Sequence, residues 1–287
     1  TEVVMPKVLR EQVKVINPWL EDDQVEEVAK QLTASFPGTG LIENNQYALH
    51  LLLENTSVSE NRKTGEQSPT VRFIDFDKDP SKNNRFIAVC QFKVRILGPE
   101  HHIIPDIVLF VNGLPVVLIE CKSPKVKDAI PEAIDQMLRY SEQRGAKGEG
   151  SAPLFYFNQI VIATCRQEAK FGTITTHSEK HFYRWSDPYP RTLNDLDHGS
   201  GSPNDQQRLV AGMMDKGNLL DLIRTFTLFS TNDKGQTIKI VGRYQQFRAV
   251  KLAVQRLLQG KSPRERSGII WHTQGSGKSL TMMFVVR

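Results

Sequence analysis

Cysteine is scarce in this chain: three in 287 residues, Cys90, Cys121 and Cys165, far apart and in apolar or strand-like surroundings. So sparse and odd a number argues against a disulfide framework and points to a reducing cytoplasm. Long apolar runs are missing as well. No stretch of about 18 consecutive apolar residues occurs, so no membrane-spanning helix is expected. The opening "TEVVMPKVLR" has neither the apolar centre of a secretion signal nor an initiator methionine, and a chain trimmed from a longer one is expected. Internal repeats and low-complexity tracts are absent. So are zinc-finger and helix-turn-helix signatures, which removes those modules for reading base sequence.

What is present is ordinary for a globular protein: 39% hydrophobic and 24% charged residues. The length suits two domains, or one and a fraction. Net charge is +5, compatible with a nucleic-acid partner but no proof of one. Between Arg243 and Arg266 stand seven Lys or Arg and one acid, Glu265. A basic groove and a solvated helix face account for that run equally well.

Apolar spacing predicts helix over 8–34, with Val25, Val28, Ala29 and Leu32 on one face, and again over about 42–54. The polar stretch 58–69 reads as loop. Strands are expected at 70–76 and 85–97, then two more around Asn112-Gly113. A helix near 129–142, a Gly-rich loop and a strand at 158–165 follow. This order implies an α/β or α+β core with one central sheet. Residues 184–205 are poor in apolar side chains, and a soft boundary is placed near 200. Beyond it, helices are expected near 204–214, 217–229 and 244–259, and strands at 237–241 and 267–271.

The stretch "IPDIVLFVNGLPVVLIECK" (104–122) is apolar except at its ends, Asp106, Glu120 and Lys122. Side chains two apart on a strand share a face, so Glu120 and Lys122 point one way and Cys121 the other. Two carboxylates on one face could hold Mg²⁺, and an adjacent lysine would add positive charge for phosphodiester chemistry. Register decides whether they share that face. A plain two-residue Asn112-Gly113 turn would pair residues whose numbers add to 225, setting Asp106 across from Ile119 and on the face opposite to Glu120. The metal reading needs an even total. A three-residue loop at 111–113, with Gly113 in a left-handed bulge, gives 224 and pairs Asp106 with Leu118; a bulge elsewhere serves too.

In the next predicted helix, Gln136 and Tyr140 lie four apart, on one face. Pro105-Asp106, Glu120-x-Lys122 and Gln136-x3-Tyr140 together resemble the motifs of PD-(D/E)XK nucleases. The resemblance implies that Asp106 and Glu120 bind Mg²⁺, that Lys122 supports the attacking water, and that Gln136 and Tyr140 arrange the site and the DNA. A further acid on a preceding helix, Glu43 or Glu54, could contribute.

The final stretch "SGIIWHTQGSGKSLTMMFVVR" reads as a strand, a Gly-rich loop and a helix start. Gly275 and Gly277 free the backbone to close on phosphate, with Thr273, Gln274 and Ser276 around them. Lys278 would reach the β/γ-phosphates of ATP, and Ser279 would join Mg²⁺. His272 stands where the general phosphate-loop pattern has its first Gly, a departure that helicase-like ATPases tolerate. Upstream, "GRYQQFRAV" resembles the Q motif of superfamily 2 helicases, with Gln245 as the adenine reader and Gln246 as the alternative. No further acidic strand follows Ser279, so the 287-residue chain by itself is expected not to hydrolyse ATP.

A nuclease followed directly by a motor start is similar to the R subunit of type I restriction–modification enzymes. The resemblance implies an α/β fold: a PD-(D/E)XK core, a central mixed sheet flanked by helices, over 1–200. Over 201–287 it implies linker helices and the first part of a RecA-like helicase domain. It also implies ATP-driven translocation on double-stranded DNA followed by cleavage, in a cytoplasmic complex with methylation and specificity subunits and with no membrane. Two alternatives stay open: a RecB-like repair nuclease–helicase, where the nuclease usually follows the motor, and a catalytically silent module that binds DNA or partners. His177 and His181 form a helix-like pair without further clustered ligands, and read as surface histidines rather than a zinc site.

Overall fold

The computed structural model describes residues 3–33, 36–53, 56–77, 79–96, 101–145, 148–197 and 201–287. Three helices come first, α1 (Pro6–Ile16), α2 (Asp22–Thr33) and α3 (Leu41–Leu52). Strands β1 (Thr56–Ser57), β2 (Thr70–Val71), β3 (Phe86–Cys90), β4 (Val94–Arg95), β5 (His102–Ile103), β6 (Ile107–Val111) and β7 (Leu114–Cys121) follow. Then come α4 (Ala129–Tyr140), β8 (Ile160–Cys165) and β9 (Glu168–Gly172). The remainder is α5 (Asp205–Gly212), α6 (Lys216–Arg224), β10 (Thr227–Thr231), β11 (Thr237–Val241), α7 (Tyr244–Gln259), α8 (Pro263–Arg266) and α9 (Lys278–Val286).

The centre is a five-stranded mixed sheet in the order β3-β6-β7-β8-β9. Only β7 and β8 run parallel, and α4 makes the crossover between them, as a parallel connection requires. The β7 sequence "LPVVLIEC" is buried along its length until Cys121, which suits a central strand covered on both faces. Helix α4 packs one face through Ile130, Ala133, Ile134 and Met137. Helix α5 lies against β9.

Several sequence expectations are corrected. The helix expected over 8–34 is two helices, broken where Asn17 precedes Pro18. The side chain of Asn17 donates to Val13 O and Arg72 O, fastening the break to the rest of the fold. The strand expected over 70–76 keeps only Thr70–Val71. The one expected over 85–97 splits at Gln91, whose φ of 55° leaves the strand region; residue 97 lies outside the described residues. The helix expected over 217–229 stops at Arg224, and Thr227–Thr231 is strand, because β-branched and aromatic residues there pair with β11 across an Asn-Asp-Lys-Gly turn. Residues 267–271 form no strand. No ladder partner for them exists among the described residues, and Ile269 and Trp271 are 91% and 89% exposed. Strands β5 and β9 were not foreseen. The boundary near residue 200 falls on 198–200, outside the described residues.

The β6–β7 hairpin lacks the three-residue loop and reaches the even register by a bulge elsewhere, the other route left open. Its turn is the two-residue kind, with Asn112 and Gly113 at φ 53° and 85°, the left-handed pair that this turn demands. Asn112 is fully buried and bonds Arg85 N, Phe73 O and Asn84 Oδ1. Gly113 sits against α1, where a Cβ would meet Met5 O at 2.7 Å. Gly113→Ala is therefore expected to lower stability by roughly 1–3 kcal/mol, read as a shift in urea midpoint.

One packed core runs from Val3 to Phe284. Trp185 meets Phe247 at 5.6 Å, and Phe226 meets both Phe247 and Phe284, at 4.8 and 5.1 Å. Residues on either side of position 200 share these contacts.

Candidate functional site

The turn pairs Val111 with Leu114 and Phe110 with Pro115, as a two-residue turn must. The register then shifts: Leu109 faces Val117, Val108 faces Leu118 and Ile107 faces Ile119. Val116 is the extra residue, a bulge in β7. Carried one step further, this register sets Asp106 directly across from Glu120, on one face. The expected three-residue loop is absent; a bulge three residues after the turn supplies the even register instead. Cys121 turns to the other face, where it lines a cavity of about 840 Å³ with Ile107, Ile119, Ile162 and Thr164.

Asp106 is held in place by two donors. Gln91 Nε2 reaches Oδ1 at 2.8 Å, and Cys121 N reaches Oδ2 at 2.8 Å. The Gln91 kink that ends β3 thus serves to aim the amide at this carboxylate. Glu120 is 2% exposed, and its Oε2 is buried without a partner among the described residues. Its Oε1 accepts from Lys122 Nζ, at 3.5 Å. Burial first, and the Asp106 charge second, push the Glu120 carboxyl up to about 7.

Lys122 is held by α4. Its Nζ donates to Gln136 Oε1 and lies 3.8 Å from Glu132 Oε1. Gln136 Nε2 donates in turn to the Tyr140 hydroxyl at 2.6 Å, and that hydroxyl donates to Ile104 O at 3.4 Å. Burial, then the Glu120 charge, raise the Tyr140 phenol above its ordinary value. Five residues that the sequence singled out, Asp106, Glu120, Lys122, Gln136 and Tyr140, are therefore brought together, linked from a sheet end to one helix face.

Other candidates fall elsewhere. Glu43 is exposed in the first turn of α3. Glu54 lies outside the described residues. His177 and His181 are exposed, in a loop and at the end of a short 3₁₀ turn rather than on one helix. His177 Nε2 contacts Gln143 Oε1 at 2.6 Å. Among the described residues no group of three or more His, Cys, Asp or Glu gathers as a metal cage. A divalent ion at Asp106 and Glu120 would have to complete its shell with water, backbone or phosphate oxygens. The unpartnered Glu120 Oε2 fits such an ion, since a buried carboxylate oxygen with no donor is costly.

The C-terminal loop forms a separate constellation. Gly275 and Gly277 have φ of 78° and 82°, and α9 begins at Lys278. Lys278 Nζ folds onto His272 O and Thr273 O, both at 3.2 Å. Thr273, Gln274 and Ser279 are exposed, and Ser276 Oγ is buried without a partner. Gln246 is buried with both ends of its amide committed: it accepts from Arg243 N and donates to Ser276 O and Gly277 O. Among the described residues Gln245 Oε1 has no partner, and Gln245 lines a cavity of about 1090 Å³ with Tyr244, Arg248 and His272. Of the two, Gln245 is the glutamine with a free edge. The basic run is largely paired internally: Arg248 with Asp187, Lys251 with Asp221, Arg256 with Ser267 O and Arg266 with Gly260 O.

Sequence reasoning missed Gln91, whose role depends on a backbone kink, and Lys239, whose Nζ donates to Asn45 Oδ1, Asn158 O and Gln159 Oε1 inside the core.

The class is thus a mixed α/β protein that gathers two carboxylates, a clamped lysine and a Gln–Tyr pair at one sheet end, with a glycine-rich loop near its C-terminus. Residues 1–180 match the family model for the type I restriction enzyme R protein N terminus, and residues 245–287 match that of the SWI2/SNF2 ATPase. The chain belongs to the family of type I restriction enzyme R protein N termini. It is 34% identical over 98% of its length to the type I restriction enzyme HindI endonuclease subunit of Haemophilus influenzae, covering 26% of that protein. It is 29% identical over 96% of its length to the putative MjaIXP endonuclease subunit of Methanocaldococcus jannaschii, again covering 26%. With the SauCOLORF180P endonuclease subunit of Staphylococcus aureus it shares 26% over 61% of its length, covering 16%. The chain spans about a quarter of the length of the first two curated relatives. No helix among the described residues is long and apolar enough to cross a membrane.

Proposed function

We propose that the chain carries the DNA-cutting site of a type I restriction R subunit. The mixed sheet with α4 is read as a PD-(D/E)XK nuclease core, and residues 245–287 as the opening of a RecA-like, superfamily 2 motor that binds ATP. The full protein would act in the cytoplasm, translocating and cleaving double-stranded DNA with methylation and specificity subunits. The observation that carries this reading is the buried, partnerless Glu120 oxygen placed across from Asp106 and beside Lys122.

The residues divide the work by position. Asp106 and Glu120 would hold Mg²⁺, which when bound neutralises the scissile phosphate and lowers the pKa of water. Gln91 and Cys121 N fix the rotamer of Asp106. Lys122, aimed by Gln136, presents a positive charge where phosphate negative charge builds. Tyr140 holds the Gln136 amide so that its oxygen, not its nitrogen, faces Lys122. The exposed Lys125 and Lys127 follow directly, and exposed Lys93 and Arg95 lie beyond Gln91; these suit contacts to DNA phosphates.

The test is Asp106→Asn in the full-length protein with its companion subunits, on plasmid DNA carrying a recognition site. Cutting is expected to vanish while ATP-driven translocation persists. Retained cutting would end the nuclease reading and favour a silent binding module. Gln136→Leu, which unclamps Lys122, is expected to slow cutting by on the order of a hundred-fold without loss of DNA binding, measured as single-turnover rate beside a filter-binding assay.

A further inference from the structure

Lys239, on β11, is 4% exposed. Its Nζ donates to Asn45 Oδ1 at 2.7 Å, Asn158 O at 2.9 Å and Gln159 Oε1 at 2.7 Å. An ammonium has three donors, and all three are used on neutral oxygens. Its backbone is fixed too: Lys239 N donates to Thr175 Oγ1 at 2.9 Å and Thr173 Oγ1 donates to Lys239 O at 3.0 Å. Burying a lysine so completely is costly.

The acceptors lead to the carboxylate pair. Gln159 is fully buried, and its backbone N donates to Val116 O at 2.7 Å. Val116 is the bulged residue of β7, and the bulge is what sets Glu120 across from Asp106. Asn45 adds a second hold, its Nδ2 donating to Phe155 O, Tyr156 O and Asn158 O on the segment that enters β8. Lys239 itself belongs to neither family-matched stretch, 1–180 or 245–287. It lies on β11, a few residues before the helix whose Gln246 grips the glycine-rich loop.

We propose that Lys239 is a positioning residue for the Asp106–Glu120 pair, fixing Gln159 against the Val116 bulge and so fixing the register of β7. The proposal rests on the reading of that pair as a cation site. It makes the geometry of the nuclease site depend on the strand that leads into the phosphate loop.

Lys239→Met keeps the side-chain length and removes the three donors. It is tested in the full-length protein with its companion subunits, at a temperature well below the variant's own unfolding midpoint. The Mg²⁺ concentration for half-maximal cutting, and that for half of the Mg²⁺-induced rise in unfolding midpoint without ATP or DNA, are each expected to rise at least ~10-fold, with ATP hydrolysis changed by less than about two-fold. Unchanged Mg²⁺ dependence in the folded variant overturns the proposal. So does a parallel fall of cutting and ATP hydrolysis at unaltered Mg²⁺ dependence, which would mark a merely structural lysine. Should the Met variant not fold, Lys239→Gln retains two N–H donors; a smaller Mg²⁺ shift supports the proposal and no shift overturns it. Asp106→Asn separates the two ideas. If it still cuts, the cation site and the positioning role fall together. If it is silent while Lys239→Met behaves as wild type, only the positioning role falls.

Discussion

Glu120→Gln is expected to abolish DNA cutting while making the protein more stable. The loss of cutting should be on the order of a thousand-fold, because the amide no longer supplies a charged oxygen. The gain has a separate origin. Glu120 is buried with one oxygen unpartnered, and its carboxyl is pushed up to about 7 from 4.5. Below the ordinary value both folded and unfolded chains hold the proton. Between 4.5 and about 7 the unfolded chain releases it and the folded chain keeps it, so stability falls as pH rises through this window. Above about 7 the cost is constant, at roughly 3 kcal/mol. The Gln variant lacks this slope. At pH 8 in EDTA it should exceed the wild type by about 1–3 kcal/mol, and the difference should shrink at pH 5. Mg²⁺ should raise the wild-type midpoint and leave the variant unmoved. Denaturation curves at the two pH values, with EDTA and with Mg²⁺, check each part. A variant that is less stable than wild type at pH 8 would refute the account of Glu120 as a strained site.

Lys278→Ala is expected to remove ATP hydrolysis from the full-length protein, by at least about a hundred-fold. The side chain rests on His272 O and Thr273 O at the first position of α9, so its loss spares the fold. Translocation would stop, and cutting that requires translocation would stop with it. The two substitutions thus give distinct patterns: Glu120→Gln hydrolyses ATP without cutting, and Lys278→Ala does neither. An ATPase assay run beside a cleavage assay separates them. Retained ATP hydrolysis in Lys278→Ala would exclude the phosphate-loop reading.

That these side chains gather could be read in part from the residues, because charge set among apolar strands is expensive to bury. Asp106, Glu120 and Lys122 stand out as charges at the ends of apolar strands, and Gln136 and Tyr140 share a helix face whatever the tertiary structure. The face relation of Asp106 and Glu120 was harder. The Asn112-Gly113 turn is correctly a two-residue one, and taken alone it puts the two acids on opposite faces. The correction comes from the bulge at Val116, whose carbonyl accepts from Gln159 N, a residue more than forty positions later in sequence. No local pattern announces such a bulge. Lys239 was opaque for the same reason: its three oxygens come from α3 and from the residues just before β8, far away in sequence. Residues 267–271 mark the opposite failure, where strand propensity was real but no strand among the described residues pairs with it.

The aromatic junction has a practical consequence for anyone dividing this protein. Trp185 is 1% exposed, with Tyr244 and Phe247 edge-on against its ring and Gly212 pressed close to its indole nitrogen. Severing the chain at position 200 would strip those covers and leave the indole facing water. Such a piece is expected to be sticky, clumping through a raw greasy scar, whereas one that retains the chain through Phe284 keeps the scar closed.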